Sequence, residues 1–202
     1  PSPLFVQLPQ VVSHPAVGAT GFTGSKEAGL RLKEAADRAG RPIYLEMAST
    51  NPVFVLPGAL AARGHEMARE LFDSCALGAG QFCTRPGLTV VSASHADAFL
   101  EAVTSHFSSA TPGTLLGASG VSGIEHGLAT LTSHGAVAVV GGGRAEAPGF
   151  AFQPTLLRVP GDTFLAHPQA LQAEAFGTVN TIVVARDLAQ MIAIAEALEG
   201  NL

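Results

Sequence analysis

Only two cysteines occur among the 202 residues, and their spacing does not form a disulfide framework. A bridge between Cys75 and Cys83 is open on paper. The plainer reading is a reduced, cytoplasmic chain. Charge is also scarce: 13% of residues are Asp, Glu, Lys or Arg, and the net charge is -5. There is no basic run to neutralise phosphates, which argues against a nucleic-acid partner. The acidic residues are scattered, so there is no acidic tail either. No uninterrupted apolar stretch reaches the roughly 18 residues that suggest a membrane span. The N-terminus lacks a basic segment leading into an apolar one, so no signal peptide is visible. The seven histidines form no H-x-x-x-H pair or similar grouping near the cysteines, so no metal site is expected. No internal repeat stands out.

Apolar residues, by contrast, make up 47% of the chain, enough to bury a sizeable core and to argue against disorder. The length suits one domain, or a large domain with an appendage. The chain opens on "PSPLFVQLPQVV" and stops at "EALEGNL". Neither end has the loose polar composition of a natural terminus, so the sequence is expected to be a piece of a longer protein.

Strand-length apolar runs alternate with helical patterns. "PIYLEM" (42–47) and "PVFVLP" (52–57) read as short buried strands. A helix is expected over about 59–75, with Ala62, Met67, Leu71 and Cys75 near helical spacing. A strand at 87–93 precedes a helix at 95–107, for which Ser94 is the expected N-cap. The glycine-rich middle, 113–127, starts as a loop and enters a helix ending near His134. Residues 136–143 read as a strand followed by a flexible turn, strands follow at 151–159 and 178–185, and a helix at 187–199 is capped by Asp187. Strand–helix alternation with nearly continuous apolar strands indicates an α/β fold, a largely parallel sheet with flanking helices.

Four stretches could carry chemistry. "GFTGSKEAGLRLKEAADRAG" (21–40) looks like a tight turn entering a helix, with Gly24 and Ser25 at its start and Gly29 one turn in. Free N–H groups and the positive dipole end suit a phosphate, although a Gly-Ser helix start also serves simply as a cap. Glu46 ends an apolar strand. It is either an exposed or ion-paired strand-end charge, or a general base whose pKa is raised by burial. Cys83, in "GQFCTRPG", is either a small buried hydrophobe or a thiol whose pKa is lowered at an N–H-lined turn that could also hold an oxyanion. Cys75 fits the hydrophobe better, because it lies on an apolar helical stripe. In "EAFGT" (174–178), Glu174 could hold a sugar hydroxyl, or the segment could be a plain strand-entry loop.

Taken together and in order, "FTGSKEAG", "LEMASTNP", "GQFC" and "EAFG" resemble the aldehyde dehydrogenase superfamily, and the resemblance runs from about His14 onward. Within it, "LEMASTNP" and "GQFCTRPG" are most similar to the branch that oxidises α-ketoglutarate semialdehyde. The resemblance implies roles. Cys83 would attack the aldehyde, and hydride would pass to NAD or NADP. Glu46 would activate the water that hydrolyses the resulting thioester. Gly24, Ser25 and Gly29 would face the cofactor pyrophosphate, Glu174 would bind the nicotinamide ribose, and Phe176 would lie beside the nicotinamide. Two departures stand out. Ala48-Ser49 replaces a glycine pair, and Thr178 replaces the proline that commonly follows "FG".

The resemblance also implies that residues 1–41 are the C-terminal remnant of a dinucleotide-binding domain. Residues 42–202 would then be a catalytic domain, incomplete at its C-terminus. Most of the cofactor domain and the family's oxyanion asparagine would lie before Pro1, and the strand used in homo-oligomerisation would lie after Leu202. The expected partners are a small aldehyde and further copies of the full-length protein, without nucleic acid or membrane. The isolated fragment is expected to be inactive. Two alternatives stand beside this one: a non-catalytic structural or oligomerisation module of the same fold, and a cysteine-dependent hydrolase or esterase, which would need a histidine brought close to Cys83.

Overall fold

Two parallel strands and two helices make up the first of two units, Pro1–Ala48, and the second spans Ser49–Leu202. The computed structural model describes residues 3–47 and 49–201. In the first unit, helix α1 (Pro3–Ser13) precedes strand β1 (Thr20–Gly24), helix α2 (Lys26–Arg38) and strand β2 (Ile43–Met47). The strands pair in parallel from Thr20↔Ile43 to Gly24↔Met47, and α2 is the crossover between them. Ser25 caps α2, its hydroxyl accepting a bond from the Ala28 N–H at 3.3 Å. The outer face of α2 carries i,i+4 ion pairs, including Glu27–Arg31 and Lys33–Asp37, both at 2.6 Å. The inner face packs Leu32 and Ala36 with Val12 of α1.

Two expectations change here. Residues 20–24 form a strand, not a turn; two glycines in "TGFTG" weaken the local strand signal, and pairing with β2 supplies it. β2 is not a buried strand. Its residues alternate between half-buried and exposed, because within this unit it has one strand neighbour.

The second unit holds a five-stranded sheet in the order β3-β4-β7-β6-β5. Its strands are β3 (Pro52–Val55), β4 (Leu88–Ser92), β5 (Val137–Val140), β6 (Thr155–Pro160) and β7 (Val179–Ala185). All neighbours run parallel except β5, which joins the edge antiparallel to β6. Helices α3 (Pro57–Ala76), α4 (Ala96–Ser109), α5 (Ala118–Ser133), α6 (Gly161–Ala166), α7 (Pro168–Leu171) and α8 (Leu188–Glu196) complete it. The α/β class with a largely parallel sheet is therefore observed.

Period-two alternation builds two cores from continuous apolar strands. Val91, Leu156 and Ile182 point into a cluster with Leu71 and Cys75 of α3 and Phe99, Val103 and Phe107 of α4. Their chain neighbours Val90, Leu157 and Val183 point the other way, into a cluster with Ile124 and Leu128 of α5 and Met191 and Ile194 of α8. Cover on both faces explains why β4 is buried at every position.

Asp187 caps α8 as expected, accepting from the Gln190 N–H at 2.8 Å. The start of α4 differs. A 3-10 turn, Ala93–His95, precedes the helix, so Ser94 lies inside that turn and not at an α-helical cap. The short helices α6 and α7 have too few residues to show a periodic pattern, and the sequence gives no signal for them. Among the described residues, no helix is long and apolar enough to cross a membrane.

Candidate active site

Gly24, Ser25, Gly29 and Glu46 all belong to the first unit. Glu46 lies opposite Thr23 in the strand ladder, so it sits at the carboxyl end of β2 beside the end of β1 that feeds α2. Its side chain is exposed, not buried as a desolvated base would be. Gly24 and Ser25 are also exposed. A Cβ at Gly24 would stand 2.7 Å from the Phe22 ring. Gly29 is buried, and a Cβ there would come within 2.7 Å of the Met47 sulfur. Its missing side chain therefore lets β2 approach α2.

Cys83, Glu174 and Phe176 belong to the second unit. Cys83 is an exposed free thiol at the second position of a β-turn closed by the Arg85 N–H donating to the Phe82 carbonyl at 3.1 Å. The preceding residues fold into a left-handed turn, with φ values of 58° at Gly78, 58° at Ala79 and 72° at Gly80. Gly80 is obligatory. A Cβ there would lie 2.1 Å from the carbonyl carbon and oxygen of Gly177 and 2.4 Å from the Thr178 nitrogen. The backbone that delivers Cys83 thus lies directly on the backbone that follows Glu174 and Phe176. Gln81, which the sequence reading did not single out, ties the same turn to residues 114–116. It donates to the Gly78 carbonyl at 3.1 Å and the Thr114 carbonyl at 3.3 Å, and accepts from the Leu116 N–H at 2.8 Å.

Beneath this turn Arg85 is buried, with 3% of its surface exposed. Its guanidinium donates to the carbonyls of Val179 and Pro86, and burial pushes its pKa down. Glu174 lines a cavity of about 10 Å³ together with Arg85, Thr50 and Thr181. Desolvation raises its pKa, against the opposing pull of the Arg85 charge and of the Ser49 backbone N–H that its carboxylate accepts. Asn51 holds the other side of the turn, donating from Nδ2 to the Cys83 carbonyl at 2.6 Å and the Arg85 carbonyl at 3.0 Å. The sequence reading singled out Glu174 and Cys83. It gave no role to Asn51 or Arg85, because neither residue type signals on its own the carbonyl partners found here.

Cys75 takes the other reading. It is fully buried, its thiol donates to the Pro86 carbonyl at 3.1 Å, and burial pushes its pKa up to about 12. Neither cysteine is in a disulfide. Among the described residues, no group of three or more His, Cys, Asp and Glu side chains could hold a metal. A cleft of about 590 Å³ beside the kink in α3 at Arg63 includes none of the candidate residues.

The model of the aldehyde dehydrogenase family matches residues 8–202. The chain belongs to that family. It is 38% identical over 195 residues to α-ketoglutaric semialdehyde dehydrogenase 2 of Azospirillum brasilense, covering 95% of this chain and 37% of the relative. It is 34% identical over 195 residues to α-ketoglutaric semialdehyde dehydrogenase of Acinetobacter baylyi, with the same coverage. Its fold also matches the crystal structure of betaine aldehyde dehydrogenase from Staphylococcus aureus in complex with NAD+, with a TM-score of 0.75 at 20% identity, over 94% of this chain and 44% of the other. The chain thus spans less than half the length of these relatives.

Proposed function

We propose that this chain is the catalytic portion of an NAD(P)-dependent aldehyde dehydrogenase, with α-ketoglutarate semialdehyde as the substrate suggested by its two similar curated relatives. Residues before about Arg41 then belong to the cofactor domain, the remainder of which, like the oligomerisation strand, would be supplied by a full-length protein. The observation that carries the reading is the contrast between the thiols: one sealed in the core, the other displayed on a hydrogen-bonded turn.

Cys83 attacks the aldehyde carbon through sulfur, giving a thiohemiacetal. The Cys83 N–H supports the oxyanion that develops. A bound nicotinamide cofactor would supply the hydride acceptor needed for the thiohemiacetal to become a thioester. Glu46 removes a proton from the water that attacks this thioester, which releases the carboxylic acid and returns the thiol.

The start of α2 fits the cofactor's pyrophosphate. It is exposed and presents the positive end of the helix. The carboxylate of Glu27 in its first turn is engaged by Arg31 at 2.6 Å. Gly29 serves this site through packing. Glu174 would hold a hydroxyl of the nicotinamide ribose, and Phe176, half-buried on the same loop, would lie beside the ring.

The test is aldehyde oxidation followed as NAD(P)H formation. The 202-residue chain alone, which spans 37% of the length of those relatives, is expected to form none. A full-length protein carrying this sequence is expected to turn over and to lose at least 10³-fold in kcat on Cys83→Ala. Full activity in that variant sinks the proposal. Ester hydrolysis without cofactor, and without hydride transfer in the full-length protein, would favour the thiol-hydrolase reading.

A further inference from the structure

Cys83, Glu174 and Asn51 precede three strands that are neighbours in the sheet, β4, β7 and β3. Residues 49–51 touch both of the other loops. Thr50 lines one small cavity together with Glu174 and Arg85. Asn51 Nδ2 donates to the Cys83 carbonyl at 2.6 Å and the Arg85 carbonyl at 3.0 Å. Both partners are carbonyl oxygens, so only the amide nitrogen can face them. Oδ1 of Asn51 accepts from the Ser49 hydroxyl at 2.8 Å.

The segment is itself held by Asn201. Its Oδ1 lies 2.9 Å from the Ser49 hydroxyl, 3.2 Å from the Thr50 N–H and hydroxyl, and 3.1 Å from the Asn51 N–H. Asn51 has φ 47°, a left-handed conformation that asparagine tolerates better than most side chains. The Thr50 carbonyl accepts from the Gly87 N–H at 2.7 Å, which closes the far side of the Cys83 turn.

We propose that Asn51 is a positioning residue for Cys83, and that residues 49–51, braced by Asn201, clamp the nucleophile turn to the Glu174 loop. This inference rests on reading Cys83 as the nucleophile. Fixing the carbonyls of Cys83 and Arg85 fixes the peptide planes on either side of the turn. That in turn sets the direction of the sulfur and of the Cys83 N–H. A bidentate side-chain donor does this without a helix behind the cysteine.

The experiment uses Asn51→Gly and Asn51→Asp in the 202-residue chain. Glycine accepts φ 47° freely, so it removes the side chain without straining the backbone. Aspartate keeps the shape but sets a carboxylate against two carbonyl oxygens. Two readouts are taken together: amide hydrogen exchange of peptides covering 81–85, and site-resolved iodoacetamide alkylation of Cys83, with buried Cys75 as the folding control. The expected result in both variants is exchange at least tenfold faster over 81–85 and Cys83 alkylation at least fivefold slower at pH 7.5, with Cys75 still protected. Exchange and alkylation both within twofold of the unaltered chain would overturn the clamp. If Cys83 in the unaltered chain alkylates no faster than a free thiol, the nucleophile reading fails on that result. The clamp is then judged by exchange alone, which supports it if accelerated and overturns it if unchanged.

Discussion

Cys75 and Cys83 flank one short left-handed turn and end in opposite environments. Cys75 closes the apolar stripe of α3 against Val91, Leu156 and Ile182 of the sheet. It donates to a carbonyl, Pro86, that also accepts from Asn180 at 3.1 Å. Cys83 has no core around it. Its environment is a set of backbone groups whose positions are fixed by Gln81, Asn51 and the Gly80–Gly177 contact. The same element in a helix interior is a filler. On a turn with constrained carbonyls and N–H groups it is available for chemistry. Placement decides between the two, and placement here comes from glycines that let one backbone lie on another.

The sharpest way to break this contrast is chemical labelling. At pH 8 a thiol with a pKa near 12 is about 10⁻⁴ ionised, whereas a free thiol near 8.5 is roughly one-quarter ionised. Cys75 is therefore expected to alkylate at least about 10³-fold more slowly than a free thiol under native conditions, and to catch up in denaturant. Mass spectrometry after timed iodoacetamide quenching measures both sites at once. Comparable native rates at Cys75 and Cys83 would erase the distinction.

Stability gives a second, smaller contrast, from one substitution placed at both sites. Cys75→Leu forces extra methylenes into a filled core and is expected to destabilise by about 1–3 kcal/mol. Cys83→Leu adds apolar volume to an exposed turn and is expected to stay within about 0.5 kcal/mol of the parent. Urea unfolding of the two variants decides it. A larger loss at Cys83 would mean that the turn supports the fold and not only the site.

The same contrast explains what could be read from the sequence. The central strands β4, β6 and β7 were legible because both of their faces are covered, which makes their residues apolar at successive positions, as in "LTVV" and "TIVVA". β1 and the buried side of Gly29 were not, since two glycines and two threonines carry little hydrophobic pattern. Cys83 and Glu174 stood out through short ordered motifs. Asn51 sat in one of those motifs without a role, because its partners are main-chain carbonyls 32 and 34 residues away, a relation set by sheet topology. Arg85 was missed for a different reason. Arginine is rarely buried, and only the fold reveals that three neighbouring loops enclose it. The sheet also places Cys83, Glu174 and Asn51 at the amino ends of their strands, opposite to the usual carboxyl-end crevice of open α/β sheets. Glu46, near the carboxyl end of β2, follows the usual rule where the residues of the larger sheet do not.

The smallest effect concerns Glu174, the charged member of the loop that touches the Cys83 turn. Desolvation raises its folded pKa above the ordinary value of 4.5, and Arg85 and the Ser49 N–H only partly offset that shift. A carboxyl with a raised folded pKa binds a proton more readily when folded than when unfolded. Its contribution to stability is therefore full below the unfolded pKa and is lost as pH rises through the folded pKa. At neutral pH the ionised carboxylate opposes folding. Glu174→Gln keeps an oxygen for the Ser49 N–H and removes the buried charge, so its melting temperature is expected to equal or slightly exceed that of the parent at pH 7. That advantage should vanish below about pH 4.5, where the parent's carboxyl is already neutral. Thermal melts of the two chains between pH 4 and 8 measure the crossing. A variant less stable than the parent at pH 7, with the deficit shrinking in acid, would mean that attraction to Arg85 outweighs desolvation. The loop beside Cys83 would then be held by an ion pair and not by the neutral hydrogen bonds that the clamp at Asn51 supplies.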